Sequence, residues 1–246
     1  MIDAEPLRRI WLCADDYGIS PGVNRGIREL IEHGRLNATS VMVVGPAVGR
    51  DEVAALQAAI AKSARCAIGL HATLTAPFRP LTMHFRPLDG GMFNRAPDFV
   101  DGHQHVQLYP QLRDGFLAAV KEKAPGAWVR QARRNLPLAK RLGSPKALLL
   151  DYLSTQFRRR AAQAGVAFNP AFSGAYDYSR EPDYGALMRA FLDRLPEDGV
   201  VMCHPGFVDE ILVGLDPLTV TRETEFAYLA GEDFPRLLAA NKVTLT

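Results

Sequence analysis

Cysteine is scarce in this sequence, and long apolar runs are absent. The 246 residues include only three cysteines, Cys13, Cys66 and Cys203. Their odd number and wide spacing predict reduced, buried thiols rather than a disulfide framework. No apolar stretch approaches the roughly 18 residues that span a bilayer, and no basic segment with a long apolar run and a cleavage site stands near the start. We therefore expect a cytoplasmic protein.

An excess of one charge is also missing. Lysine and arginine total 29 and aspartate and glutamate total 27, so the net charge of +2 gives no reason to expect a nucleic-acid or membrane partner. We expect the run Arg158-Arg159-Arg160 to be a solvated helix face. No stretch rich in glycine, serine or charge resembles a linker. We therefore expect residues 1–246 to form one domain, and a homodimer is compatible with the sequence.

Apolar periodicity predicts alternating strands and helices. Residues 9–14 have the pattern of a strand, and a helix follows with Ser20 as its N-cap and Pro21 as its first residue. The predicted strands further along are 38–44, 67–74, 98–101, 127–129 and 200–203, and the predicted helices include 51–64, a helix after Pro110, one capped by Ser144 and Pro145, and 183–195. This alternation favours a parallel sheet with helices packed outside, as in an α/β barrel. Residues 243–246 are predicted to be a last strand that closes the sheet.

Polar residues collect at the carboxyl ends of the predicted strands. Four of the six histidines are among them. Parallel α/β folds bind ligands at this edge, because the loops there bring side chains from several strands into one pocket. The candidate site residues found in this way are Asp15, Asp16, His71, Asp101, His103, His105 and His204.

Each signal has a structural alternative. Asp15 and Asp16 are adjacent carboxylates that repel each other unless a cation or a shared proton intervenes, but they could instead form an Asx turn and cap a helix. His71 stands in an apolar strand, where a hydrogen-bonded core histidine is the alternative. His103 and His105 are two residues apart and would share one side of an extended chain, which is typical of metal ligands, and a structural pair of histidines is the alternative. His204, in His204-Pro205-Gly206, could instead cap a strand.

Taken together, these residues predict a site for one metal ion. One carboxylate and two imidazoles, with free coordination positions for water and substrate, suit Zn²⁺ or another transition metal. Because one ligand is an oxygen, Mg²⁺ remains an alternative.

Five ordered motifs resemble the YdjC-like carbohydrate deacetylase family. They are Ala14-Asp15-Asp16-Tyr17-Gly18, Pro21-Gly22-Val23-Asn24-Arg25-Gly26, Gly69-Leu70-His71, Asp101-Gly102-His103-Gln104-His105-Val106 and His204-Pro205-Gly206. The resemblance implies a distorted (β/α) barrel and metal-dependent deacetylation of N-acetylated sugars such as chitooligosaccharides. It also implies that Asp16, His71 and a histidine of the 101–105 motif bind the metal, with Asp15 as catalytic base. Family members usually carry a longer, partly helical segment before that motif, whereas here residues 90–93 run directly into Asn94.

Amide hydrolysis assigns roles to the remaining residues. We expect His103 to be the third ligand. Either His204 or His105 would protonate the sugar nitrogen, and His204 is favoured because a histidine bound to the metal would be a poor acid. We expect His105 to lie beside the metal as a substrate-binding or supporting residue, Asp101 to orient an imidazole, and Arg130 to contact the N-acetylated saccharide.

Two other functions compete with deacetylation. A glycoside hydrolase would use Asp15 and Asp101 as its carboxylate pair, which leaves the histidines unexplained. A sugar-binding protein would keep the fold without turnover. Four aromatic residues could stack on sugar rings or pack locally, namely Tyr109, Phe172, Tyr176 and Tyr178.

Overall fold

The computed structural model describes residues 6–74, 93–134 and 145–246. Its strands are β1 (Arg8–Arg9), β2 (Trp11–Tyr17), β3 (Ala38–Val41), β4 (Ala67–Ala72), β5 (Phe99–Gly102), β6 (Trp128–Val129), β7 (Phe172–Ser173), β8 (Val200–Cys203) and β9 (Val243–Thr244). Its α-helices are α1 (Pro21–Glu32), α2 (Arg50–Ala61), α3 (Pro110–Lys123), α4 (Pro145–Ala164), α5 (Tyr184–Leu192), α6 (Glu210–Leu215), α7 (Val220–Ala230) and α8 (Asp233–Ala240), and a 3₁₀ helix spans His103–Leu108. No helix within these ranges is long and apolar enough to cross a membrane.

Seven strands form one parallel sheet in the order β6-β5-β4-β3-β2-β8-β7. The sheet curls until its two edges approach each other through isolated bridges, Val129 to Phe168 and Arg134 to Phe172. The distorted (β/α) barrel predicted from the sequence is confirmed. Because the strands are parallel, their carboxyl ends lie at the same edge, where the candidate residues follow them.

The C-terminal strand does not close this sheet, so that prediction was wrong. β9 pairs with β1 in a separate two-stranded sheet. β2 already has β3 and β8 as its neighbours, and the gap that remains in the barrel lies between β6 and β7. The end of the chain therefore lies outside the main sheet.

The first helix follows from local sequence signals. The Ser20 side chain accepts the backbone N–H of Val23 as N-cap, and Pro21 begins α1, as predicted. Gly34 has a φ of 66°, a left-handed conformation that ends the helix at little steric cost. The apolar face of α1 is buried against the barrel and contains Val23, Ile27, Leu30 and Ile31.

Three helices of the C-terminal part, α6, α7 and α8, were not predicted. The buried face of α7 includes Thr221, Arg222 and Glu225 beside Leu229, so it lacks the apolar periodicity of an ordinary amphipathic helix. The Ser144 cap predicted for α4 and residues 90–92 of the short connection lie outside the described residues.

We predict that Asn37→Ala lowers the free energy of unfolding by about 3 kcal/mol. The buried amide accepts the N–H of Leu12 and donates to the carbonyls of Ile10 and Leu245, each at 2.8 Å. Each buried group left unpaired costs about 1–3 kcal/mol. Denaturant unfolding measures the change. Gln163→Ala, which removes an exposed amide from α4, is the control and should change stability by less than about 0.5 kcal/mol. A loss below about 1 kcal/mol in Asn37→Ala would contradict this account.

Candidate active site

An irregularity in β2 brings two neighbouring carboxylates into one site. The pairing of β2 with β3 shifts register between Ala14 and Tyr17, and Asp16 has a φ of 67°. Successive side chains of a regular strand would point to opposite faces. Here Asp15 and Asp16 are both buried within one network of charged residues. The sequence predicted a strand that ends at residue 14, whereas β2 continues through Tyr17 with a bulge.

One carboxylate and two imidazoles lie close enough together to bind a metal ion, and they belong to Asp16, His71 and His103. Oδ1 of Asp16 lies 3.4 Å from Nε2 of His71 and 3.1 Å from Nδ1 of His103. The possible ligand atoms of the three residues lie within 4.8 Å of one another. Asp16 and His71 are buried, whereas the His103 side chain is 14% exposed, so the group has access to solvent. One carboxylate oxygen and two imidazole nitrogens are donors that Zn²⁺ accepts.

Asp101 orients His71. The two residues pair in register across β4 and β5, and Oδ1 of Asp101 lies 2.6 Å from Nδ1 of His71. Since an ionised carboxylate only accepts hydrogen bonds, Nδ1 carries a proton and Nε2 faces Asp16. Burial alone would lower the pKa of His71, but Asp101, Asp16 and Asp15 raise it to about 10. A cation at Nε2 would take the place of the proton there, which is the usual arrangement of a carboxylate, a histidine and a metal.

Arg130 holds Asp15 from the other side. Its two terminal nitrogens donate to Oδ1 and Oδ2 of Asp15 at 2.7 and 2.6 Å, and Nη2 lies 2.8 Å from Oδ2 of Asp101. Burial would raise the pKa of Asp15, but Arg130 and His71 hold it below its usual value. The substrate contact predicted for Arg130 does not fit this geometry, because its side chain is fully buried and both terminal nitrogens bind carboxylates.

Arg222 is a site residue that the sequence did not reveal. Its Nη2 donates to Oδ2 of Asp16 and to Oδ2 of Asp216, both at 2.7 Å, and the arginine is fully buried. Oδ2 of Asp16 is therefore occupied, while Oδ1 faces the two histidines. In the sequence Arg222 is one charged residue of a helix. Without knowledge of which face of α7 is buried, it cannot be distinguished from an arginine exposed to solvent.

His105 does not belong to the group formed by Asp16, His71 and His103. Gln104 and His105 have φ values of 53° and 59°, so the chain turns left-handed after His103 and is not extended as the spacing argument assumed. The His105 ring packs edge-on against Phe172, with 5.5 Å between centroids, and helps to line a small, mainly apolar cavity with Ala132 and Leu150. Its Nδ1 is buried without a hydrogen-bond partner among the described residues. The structure therefore brings His103, and not His105, to Asp16.

His204 follows β8 and is partly exposed. Its backbone N–H donates to Oε2 of Glu225 at 2.6 Å, and its Nδ1 lies 3.3 Å from the hydroxyl of Tyr178. Tyr176 and Tyr178 pack on each other with 4.1 Å between ring centroids. Of the four aromatic residues considered for sugar stacking, Phe172 is buried and Tyr109 is 41% exposed.

Curated relatives match most of the chain. A chitooligosaccharide deacetylase from Citrobacter koseri is 28% identical over 232 residues, which cover 81% of this chain and 82% of the relative. A carbohydrate deacetylase from Vibrio cholerae is 28% identical over 252 residues, which cover 95% of this chain and 92% of the relative.

Two solved structures share the fold. A protein from Enterococcus faecalis V583 to which cellobiose-phosphate cleavage is provisionally ascribed has a TM-score of 0.71 at 18% identity, with 98% of this chain and 97% of that chain covered. A truncated 3-deoxy-D-arabino-heptulosonate 7-phosphate synthase from Thermotoga maritima has a TM-score of 0.53 at 10% identity, with 96% and 89% covered. These likenesses concern the fold alone.

The model of the YdjC-like protein family matches residues 9–93 and 91–240. The two matched segments meet at the short connection before the motif that contains His103. Together they include every candidate site residue and most of the chain, and the chain therefore belongs to the YdjC-like family.

Proposed function

We propose that this protein is a metal-dependent hydrolase that removes the acetyl group from an N-acetylated amino sugar or chitooligosaccharide and releases acetate. The observation that carries the proposal is the group of Asp16, His71 and His103 beside an ionised Asp15. Two curated relatives that are named for deacetylation of carbohydrates support the substrate class. In this proposal residues 1–246 act as one domain.

Asp16, His71 and His103 would hold one divalent ion, Zn²⁺ or Mg²⁺. Their donor atoms fit, since Oδ1 of Asp16 and Nε2 of His71 face one another while Arg222 and Asp101 occupy the opposite sides of the two ligands. When bound, such an ion polarises the acetyl carbonyl and lowers the pKa of water.

Asp15 is the proposed general base. Arg130 keeps the carboxylate ionised and fixes its orientation. Ser40 and Cys13 also donate to Oδ1 of Asp15, at 3.1 and 3.5 Å, whereas Oδ2 accepts one hydrogen bond from Arg130. A carboxylate has about four lone-pair positions, so the second position of Oδ2 is left to accept a proton from the attacking water.

His204 is the proposed general acid for the sugar nitrogen. It is partly exposed at the carboxyl end of β8 and lies within electrostatic range of both Asp15 and Asp16. His105 is less suited, because its ring packs against the buried Phe172 and burial lowers the pKa of its imidazole to about 3. We propose that His105 supports the wall of the site rather than the metal.

The geometry disfavours a glycoside hydrolase. That mechanism needs two carboxyl groups on either side of a glycosidic bond. Asp15 and Asp101 are both buried and are bridged by one Arg130 nitrogen, so no sugar can lie between them. A non-catalytic sugar-binding protein would release no acetate. The measurements of acetate release described below therefore distinguish it from a deacetylase.

We predict that the purified protein holds about one divalent ion per chain and that Asp16→Ala and His71→Ala each lose it. Each substitution removes one of the three proposed ligands found among the described residues. Elemental analysis after gel filtration measures the ratio. His33→Ala and His105→Ala are matched controls and should retain the ion, because neither residue is in the group. Full occupancy in both ligand variants would eliminate this site.

Asp15→Asn should keep the ion and lose most deacetylation. The amide preserves the shape of the side chain but is a poor base, and general-base catalysis contributes about 10² to 10⁴-fold to kcat. Acetate release and metal content are measured on the same preparation. Because the substitution leaves Arg130 without the charge of Asp15, thermal unfolding of the variant checks that the fold is still stable. Nearly full activity in Asp15→Asn would assign the base to another group.

His204→Ala should also lower kcat, and the loss should depend on the leaving group. An acid that protonates the departing nitrogen matters most for an alkyl amine and least for a leaving group that departs without a proton. Acetate release from an N-acetylated saccharide is compared with release from an activated acetanilide. Equal losses on both substrates would assign His204 a role other than the acid.

A further inference from the structure

The segment after β7 packs tightly against the strand that ends at His204. Gly174 has a φ of 108°, and a Cβ at this position would lie 2.1 Å from the carbonyl oxygen of Met202. A side chain there would therefore collide with the backbone of β8. Glycine allows the segment to approach, and Tyr178, four residues later, meets the imidazole of His204.

The two contacts of the Tyr178 hydroxyl indicate which atom donates in its hydrogen bond with His204. Its hydroxyl donates to the carbonyl of Gly174 at 3.5 Å and lies 3.3 Å from Nδ1 of His204. Burial and the nearby Glu225 raise the pKa of Tyr178, so the phenol keeps its one proton. If that proton goes to the carbonyl, which can only accept, the lone pairs of the phenol oxygen remain for His204.

Glu225 holds the backbone of the same histidine. Its carboxylate is fully buried and accepts the N–H of His204 at 2.6 Å. The hydroxyls of Tyr176 and Tyr184 also donate to it, at 2.6 and 3.2 Å. The backbone of His204 is thus fixed by Glu225 of α7, and its ring by Tyr178 in the turn that follows β7.

We propose that Tyr178 is a positioning residue that holds His204 in the tautomer with its proton on Nδ1, so that Nε2 is the nitrogen that exchanges protons with the substrate. The inference rests on the proposed role of His204 as the acid. Protonated histidine has an N–H on both nitrogens, so its Nδ1 must donate to the phenol oxygen. The hydrogen bond from Nδ1 of His204 to the Tyr178 oxygen is therefore present both in the protonated histidine and in the neutral histidine that remains after proton transfer.

The proton transfer balances without any change at Tyr178. The Nε2–H bond of the imidazolium breaks as the sugar nitrogen takes the proton. The electron pair of the C–N bond goes to that nitrogen, while an electron pair of the former carbonyl oxygen re-forms the C=O bond of the released acetate. The imidazole is left neutral with its proton on Nδ1, still donated to Tyr178. Nε2 regains a proton from solvent before the next turnover.

Nitrogen NMR of ¹⁵N-histidine-labelled, full-length protein loaded with diamagnetic Zn²⁺ or Mg²⁺ tests the tautomer. At a pH where His204 is neutral, its Nδ1 should carry the proton, and His204→Gln identifies the signals. Tyr178→Phe should move the proton towards Nε2. Tyr176→Phe is the matched control, because it removes a phenol of the same cluster whose hydroxyl binds Glu225 rather than the ring, and the tautomer should stay. A proton on Nε2 in the wild type, or an unchanged tautomer in Tyr178→Phe, would overturn the proposal.

Kinetics on the same variants separate this inference from the proposed function. Tyr178→Phe should lower kcat about 3 to 10-fold with little change in KM, which corresponds to the loss of one hydrogen bond. If the tautomer changes and kcat does not, the role of Tyr178 stands and the acid role of His204 fails. If kcat falls while the tautomer is unchanged, the positioning role fails and the proposed function stands.

Discussion

The ion pairs of the buried Arg130 are the interactions on which the candidate site depends. One fully buried guanidinium binds both oxygens of Asp15 and one oxygen of Asp101. Two buried carboxylates so close together would repel each other without it, and removing one partner from such a pair typically costs about 3–5 kcal/mol. Because Arg130 leaves Oδ1 of Asp101 free to accept from His71, the same pairing also fixes the imidazole that faces Asp16. Asp15 and the group of Asp16, His71 and His103 therefore belong to one charge network.

The barrel makes this network possible by bringing distant segments to one edge. Asp15 and Asp16 come from β2, His71 from β4, Asp101 from β5 and Arg130 from the residue after β6. A second arginine, Arg222 of α7, binds the other oxygen of Asp16 from a position 206 residues away in sequence. Each carboxylate of the Asp15-Asp16 pair therefore has its own arginine, which explains how two adjacent acidic residues are tolerated in the interior.

The sequence predicted the parts of the site that follow regular strands. The apolar runs placed His71, Asp101 and His204 at strand ends, and the N-cap signal at Ser20 identified the first βα unit. The sequence could not reveal the left-handed turn at Gln104 and His105, which depends on tertiary contacts and separates the two histidines. Arg130 was located but given a substrate role, since its carboxylate partners are 115 and 29 residues away. Arg222 and Glu225 were missed because they are polar residues on a buried helix face.

The most direct test of the account is acetate release from N-acetylated chitooligosaccharides by the wild-type protein, before and after removal of its metal by a chelator. A metal-dependent deacetylase should release acetate when it is loaded with metal, lose this release after chelation, and recover it on addition of about one equivalent of Zn²⁺ or Mg²⁺ per chain. Release that persists in protein shown by elemental analysis to be free of metal would contradict the central claim, as would the absence of release over a panel of N-acetylated saccharides with either metal.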